Sequence, residues 1–181
     1  MADIQDIATY TFTSEARLFF DANIWLLIYG PQGDPQDSRV RTYSLALRKI
    51  INGKSRLYID ALVLSEFANR YARIEFDSGI FSTSYANFKQ FRNSVDFKAL
   101  APTIALVMRN IVDDCESVDC GLPSIDKSAL FERFATGDHD FNDLLLTELC
   151  TTNDLTLVTD DRDFRDASIS VLTSNRSLLS L

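Results

Sequence analysis

The 181-residue sequence predicts an α/β fold, with a central parallel sheet of about four to five short strands flanked by helices. Three observations carry this expectation. Short apolar runs of strand length recur at residues 17–21, 57–59, 155–158 and 169–172. Segments with the 3.6-residue period of amphipathic helices separate them. Strands that alternate with helices pair in parallel, with the helices packed on the faces of the sheet.

Residues 1–16 are polar and read as an N-terminal arm or loose cap. Residues 17–21 form a buried strand, and 22–29 begin a helix with no turn between them. Gly30, Pro31, Gly33 and Pro35 break the chain. Residues 37–51 form a helix with Val40, Tyr43, Leu47 and Ile50 on one face, ended by Asn52 and Gly53. After the second strand, Asp60 can cap a helix carrying Leu62, Val63, Phe67 and Tyr71. Residues 76–137 show helical periodicity and little strand signal, and read as a helical insertion in a single domain spanning 1–181. One helix there is expected to hold Tyr85, Phe88, Phe91 and Phe97, and a second to start at Pro102. Residues 125–134 form a short helix and 141–150 a strong one. The third strand ends in Thr159, Asp160 and Asp161.

Composition bounds the function. The chain is 46% apolar and 24% charged, which is ordinary for a folded domain. No apolar run approaches the ~18 residues of a membrane span, and the acidic start is unlike a signal peptide. Three cysteines are an odd, sparse set, so a reducing cytoplasm is the expected location. Among Cys115, Cys120, His139 and Cys150 only the gap between Cys115 and Cys120 fits the paired spacing of a zinc site, and the cysteines read better as buried apolar residues. The net charge of −8 excludes a broad electrostatic grip on nucleic acid. The charge is uneven, however. Residues 37–56 carry a net +5, whereas 138–166 carry −7. A basic helix beside an acidic cleft suits an RNA substrate.

The carboxylates form the informative pattern. Asp21 closes the first strand and Asp161 follows the third, so both fall on the carboxyl rim where parallel sheets hold their sites. Glu66 and Asp143 lie on helices among apolar neighbours. Each acid alone has an ordinary reading. Asp21 and Asp143 sit at helix starts, Glu66 is four residues before Arg70, and Asp161 is in a turn. Together, four acids converging on one cleft repel one another, and burial raises their pKa values. A hard divalent cation, Mg²⁺ or Mn²⁺, offsets that repulsion best.

These residues resemble a PIN domain, the fold of many metal-dependent ribonucleases, including VapC-type toxins. The match lies in Leu18-Phe19-Phe20-Asp21-Ala22-Asn23, in Leu62-Val63-Leu64-Ser65-Glu66-Phe67, and in Asn142-Asp143-Leu144-Leu145-Leu146 followed by Thr159-Asp160-Asp161-Arg162-Asp163-Phe164. It covers residues 17–75 and 138–172, about half of the chain. The resemblance implies that Asp21, Glu66, Asp143 and Asp161 are the metal-holding, catalytic quartet. Asn23 would brace the site, and Thr159 would be the hydroxyl residue before the last acid. Asp140 is an alternative to Asp143, and Asp160 to Asp161. The implied reaction is metal-assisted hydrolysis of RNA to a 5′-phosphate and a 3′-hydroxyl. The implied partners are RNA, an antitoxin presenting an arginine to the acids, and a second copy of the chain; no membrane is expected.

Two other readings are distinguishable. A haloacid-dehalogenase-like phosphatase needs a second Asp two residues after the first, where this chain has Asn23. A catalytically silent PIN-like scaffold binding RNA or protein would not need the whole quartet. Tyr85, Phe88, Phe91 and Phe97 are candidates for base stacking but read better as core. His139 is a candidate base that metal chemistry of this kind does not require.

Overall fold

The structure, a computed structural model, describes residues 2–119 and 121–180. Six strands form one all-parallel sheet: β1 (Asp3–Asp6), β2 (Arg17–Phe20), β3 (Arg56–Ile59), β4 (Glu116–Ser117), β5 (Thr156–Val158) and β6 (Ser170–Thr173). The order across the sheet is β1-β6-β5-β2-β3-β4. Among the described residues, eight α-helices connect and cover them: α1 (Ala22–Tyr29), α2 (Ser38–Gly53), α3 (Ala61–Asp77), α4 (Phe88–Arg92), α5 (Val95–Asp113), α6 (Lys127–Ala135), α7 (Phe141–Asn153) and α8 (Arg176–Leu179).

The central strands β2 and β5 are covered on both faces, and their residues are correspondingly apolar. Leu18, Phe19, Phe20, Leu157 and Val158 are all fully buried. Trp25 of α1 and Phe67 of α3 join the same core. Phe20 pairs with Val158, and the Asp21 N–H continues the ladder to the Val158 carbonyl at 3.0 Å. This register puts Asp21 beside Thr159, one residue beyond the end of each strand. The chain then enters α1 directly. At the other end of α1, Gly30 is required, because a Cβ there would run into the Leu26 carbonyl.

The differences from expectation have local causes. Residues 1–16 are not only an arm: Asp3–Asp6 pair with β6 and Ile7 is buried. As an edge strand, β1 needs no apolar run, and its two aspartates suit an unpaired edge. β4 is a two-residue exposed edge strand and carries no apolar signature. They account for six strands where the sequence shows four to five.

The second expected helix of the 76–137 segment begins at Val95, not at Pro102. Ser94 caps it by accepting the Phe97 N–H at 3.2 Å. Pro102 sits within α5, where it removes one helical hydrogen bond. Burial of Ile104 and Ile111, with packing of α5 on α3, holds the helix through that gap. The first expected helix is broken up. Tyr85 lies in a loop, Phe88 and Phe91 are on the five-residue α4, and Phe97 is on α5. Their rings meet Phe76 and Phe81 around Phe91, which is fully buried, so the four are core rather than a stacking platform.

Asn52 and Gly53 remain helical, and Lys54 takes the left-handed turn that ends α2, with φ of 55°. Lys54→Gly removes about 1–2 kcal/mol of left-handed strain and adds roughly 0.4–1 kcal/mol of unfolded-state entropy. A net stabilisation of about 0.5–1 kcal/mol is expected in urea unfolding; a lower midpoint would contradict it.

Candidate active site

The carboxyl rim of the sheet gathers the acids. Asp21 is almost fully buried at the end of β2. It occupies the N-cap position of α1 yet makes no capping hydrogen bond. Its carboxylate Oδ2 instead accepts the Thr159 hydroxyl at 2.7 Å and the Asn23 amide. Asn23 Nδ2 also donates to Thr159 Oγ1 at 3.0 Å, and Asn23 Oδ1 accepts the Asp160 N–H. Asn23 and Thr159 therefore tie the ends of β2 and β5 into one polar cluster.

Burial pushes Asp21 up to about 6; the Thr159 hydrogen bond opposes this, and the charges of Glu66 and Asp161 add to it. Asp143, in the first turn of α7, is pushed up to about 7. Burial is again the main cause, followed by the charges of Asp140, Asp161, Asp21 and Asp163. The helix dipole acts in the opposite direction and loses. Asp21 thus lies within reach of the charges of Glu66 and Asp161, and Asp143 within reach of those of Asp161 and Asp21, although the four arise from separate parts of the chain.

The individual roles differ. Glu66 pairs with Arg70 at 3.1 Å, one helical turn on, and both side chains keep some exposure. Asp161 is exposed and accepts the Asp163 N–H at 3.1 Å. Asp140 is exposed and caps α7 through the Asn142 N–H at 2.8 Å. Asp160 is tied down: it accepts the Tyr43 hydroxyl at 2.9 Å and Arg39 at 3.4 Å. Between the paired alternatives, Asp160 is committed to Tyr43 and Arg39, Asp140 and Asp161 each accept one local N–H, and Asp143 is more buried than Asp140.

Beyond Asn23 and Thr159, sequence reasoning missed two supports of this rim, Tyr43 and Asn175. Tyr43 reads as core, and its ring is buried. Its hydroxyl also accepts the Ser174 N–H at 2.9 Å, which links α2 to the ends of β5 and β6. Asn175 Nδ2 donates to the Asp160 carbonyl at 2.7 Å. A tyrosine on an otherwise apolar helix face is the one available signal, because a buried hydroxyl seeks a partner.

All-oxygen carboxylate donors are the set that hard divalent cations take. Among the described residues, no group of three or more His, Cys, Asp or Glu side chains stands close enough together to hold a metal ion. Cys115 and Cys150 are free thiols, both raised by burial, opposite to zinc ligands; Cys120 lies outside the described residues. No helix among the described residues is long and apolar enough to cross a membrane.

Solved structures share the fold. A chain of VapBC2 from Rickettsia felis, bound to a DNA fragment from their promoter, aligns at a TM-score of 0.55 and 13% identity. The alignment covers 86% of this chain and 97% of that one. PAE2754 from Pyrobaculum aerophilum aligns at 0.51 and 14%, covering 91% and 94%. No curated protein matches the chain significantly. The sequence model of the PIN domain matches residues 18–169, which span every acid of the rim. The chain belongs to the PIN domain family.

Proposed function

We propose that the protein is a divalent-metal-dependent ribonuclease that hydrolyses RNA phosphodiester bonds at the Asp21–Glu66–Asp143–Asp161 rim. One observation carries the reading: two of these acids, Asp21 and Asp143, are raised to about 6 and 7 by burial and by one another's neighbours. A fold that keeps such repulsion at a strand-end rim is built to be neutralised there by a cation. PIN domains are generally nucleases, which agrees with this chemistry.

Asp21, Glu66, Asp143 and Asp161 would hold Mg²⁺ or Mn²⁺. When bound, the ion supplies Lewis-acid stabilisation of the phosphate oxygens and acidifies water. Asn23 and Thr159 fix the Asp21 carboxylate by donating to its Oδ2. Glu66 and Asp143 would complete the site directly or through water, and one of them would orient the attacking water. In the phosphatase reading, residue 23 would be an acid; here Asn23 is committed to Asp21, Thr159 and Asp160.

The likeness to a chain of VapBC2 supports a finer reading as the toxin of a toxin–antitoxin pair acting in the cytoplasm. In that case an antitoxin arginine would face the acids, and two copies of the chain could associate. The open arrangement of the acids favours one alternative, a catalytically silent scaffold that binds RNA or protein.

The test uses end-labelled single-stranded and structured RNAs with Mn²⁺, Mg²⁺ or EDTA. Cleavage is expected with either ion, none with EDTA, and the products should carry 5′-phosphates that a phosphatase removes. No cleavage with either ion, together with no calorimetric binding of Mn²⁺, would leave the scaffold reading.

A further inference from the structure

A cleft of about 400 Å³ opens beside the acid rim and shares Asn23 and Asp161 with it. Its floor is aliphatic, formed by Leu26 and Leu27 of α1, Val40 of α2 and Ile74 of α3. Its charged lining is three arginines from separate elements, Arg39, Arg70 and Arg162, together with Asp37, Asp160 and Asp161. Arg39 is oriented by Asp37 and Asp160, and Arg70 by Glu66. Both side chains remain about half exposed, so each guanidinium keeps donors for a ligand. Arg162 is exposed and makes no ion pair among the described residues.

An apolar floor with guanidinium groups at the edge fits a flat apolar ring joined to an anion. A volume near 400 Å³ holds one such unit, not a duplex. We propose that this cleft seats one unstacked nucleotide of a single-stranded substrate, adjoining the phosphate at the acid rim. Its base lies against Leu27 and Ile74, and its phosphate is held by Arg162 with Arg70. The inference rests on the ribonuclease reading for its choice of RNA. It also gives the base a seat that the aromatic residues around Phe91 do not provide. An aliphatic floor presents no edge-specific donors, so the seat selects for an unpaired nucleotide rather than for one base.

The test is binding of a labelled eight-nucleotide single-stranded RNA to the full chain by fluorescence anisotropy, in EDTA and low salt. Arg162→Gln and Ile74→Trp are expected to weaken binding about tenfold each, whereas Arg109→Gln, on the exposed side of α5, leaves it unchanged. The same RNA with one abasic position, moved along the strand, should bind the wild type about fivefold more weakly at a single register. That penalty should vanish in Ile74→Trp, whose indole fills the cleft. Arg162→Gln, on an exposed side chain, keeps the test decisive if Ile74→Trp does not fold. Wild-type affinity in Arg162→Gln, or an abasic penalty that persists in a folded Ile74→Trp, overturns the proposal. So does failure of the wild type to bind the RNA, or RNA binding indifferent to the cleft, the outcome expected if a partner's peptide is its occupant. Cleft-dependent binding without cleavage in Mn²⁺ would leave this inference standing and remove the ribonuclease reading. Cleavage with cleft-independent binding would do the reverse.

Discussion

Asp21→Asn is expected to abolish metal-dependent cleavage and, at the same time, to make the metal-free protein more stable at pH 8. The two effects share one cause. The Asp21 carboxylate is buried and faces the charges of Glu66 and Asp161, which raises it to about 6. Holding it ionised at pH 8 costs on the order of 3 kcal/mol relative to the unfolded chain. Asparagine is nearly isosteric. Its amide oxygen can accept the same donors, Thr159 Oγ1 and Asn23 Nδ2, and its amide nitrogen faces the remaining carboxylates favourably. For a chain of this size, each kcal/mol raises the midpoint by about 2–4 °C, so a gain of several degrees is expected at pH 8. At pH 4 the carboxyl is already protonated in the folded state, and the gain should shrink toward zero. The cleavage rate should fall by more than the roughly 10–100-fold that loss of a residue supporting a ligand costs. A structural acid would behave oppositely, with lost stability and retained cleavage, and that result in thermal unfolding and single-turnover assays would remove Asp21 from the site.

How the site assembles explains how much of it the sequence shows. Asp21 and Asp161 are legible because β2 and β5 are short, fully buried runs whose ends are unambiguous. An acid that follows such a strand must fall on the carboxyl rim of a parallel sheet. Asp143 is legible through its helix, where the run of leucines marks the buried face. The supports are less visible. Tyr43 and Asn175 reach Asp160 by hydrogen bonds across 117 and 15 residues of chain, and nothing in local composition encodes such a pairing. Arg39 reads as part of a basic helix face, yet the fold spends it on Asp37 and Asp160, while Arg41, Arg48 and Lys49 stay exposed. At the sheet edges, β1 and β4 are stabilised by backbone pairing to one neighbour each, so their side chains need no pattern. Pro102 marks a helix start by propensity alone. Tertiary packing of α5 on α3 overrides it, because buried apolar area outweighs one missing hydrogen bond.

The metal-free protein is expected to lose stability as pH rises from about 4 to 8, and Mn²⁺ or Mg²⁺ is expected to restore it. A carboxyl whose folded pKa is raised binds its proton more tightly in the native state than in the unfolded one. Its protonated form is fully accommodated below the unfolded value near 4, and stability is lost as pH climbs through the folded value. Asp21 loses it through about 6 and Asp143 through about 7, so the decline should span both. Asp143 is only half-buried, so water screens part of its share and Asp21 dominates the total. A cation that binds only the folded rim competes with these protons. Its stabilisation therefore grows with pH and reaches about 2.7 kcal/mol at a hundredfold excess over its dissociation constant. Thermal unfolding at pH 5 and pH 8, each with EDTA and with millimolar Mn²⁺, reads this directly. The metal-induced rise in midpoint should be several degrees at pH 8, smaller at pH 5, and absent at both in an Asp21→Asn, Asp143→Asn double variant. A midpoint that stays flat with pH and ignores the metal would mean that the four acids repel one another too weakly to need an ion, and the catalytic reading of the rim would fall with it.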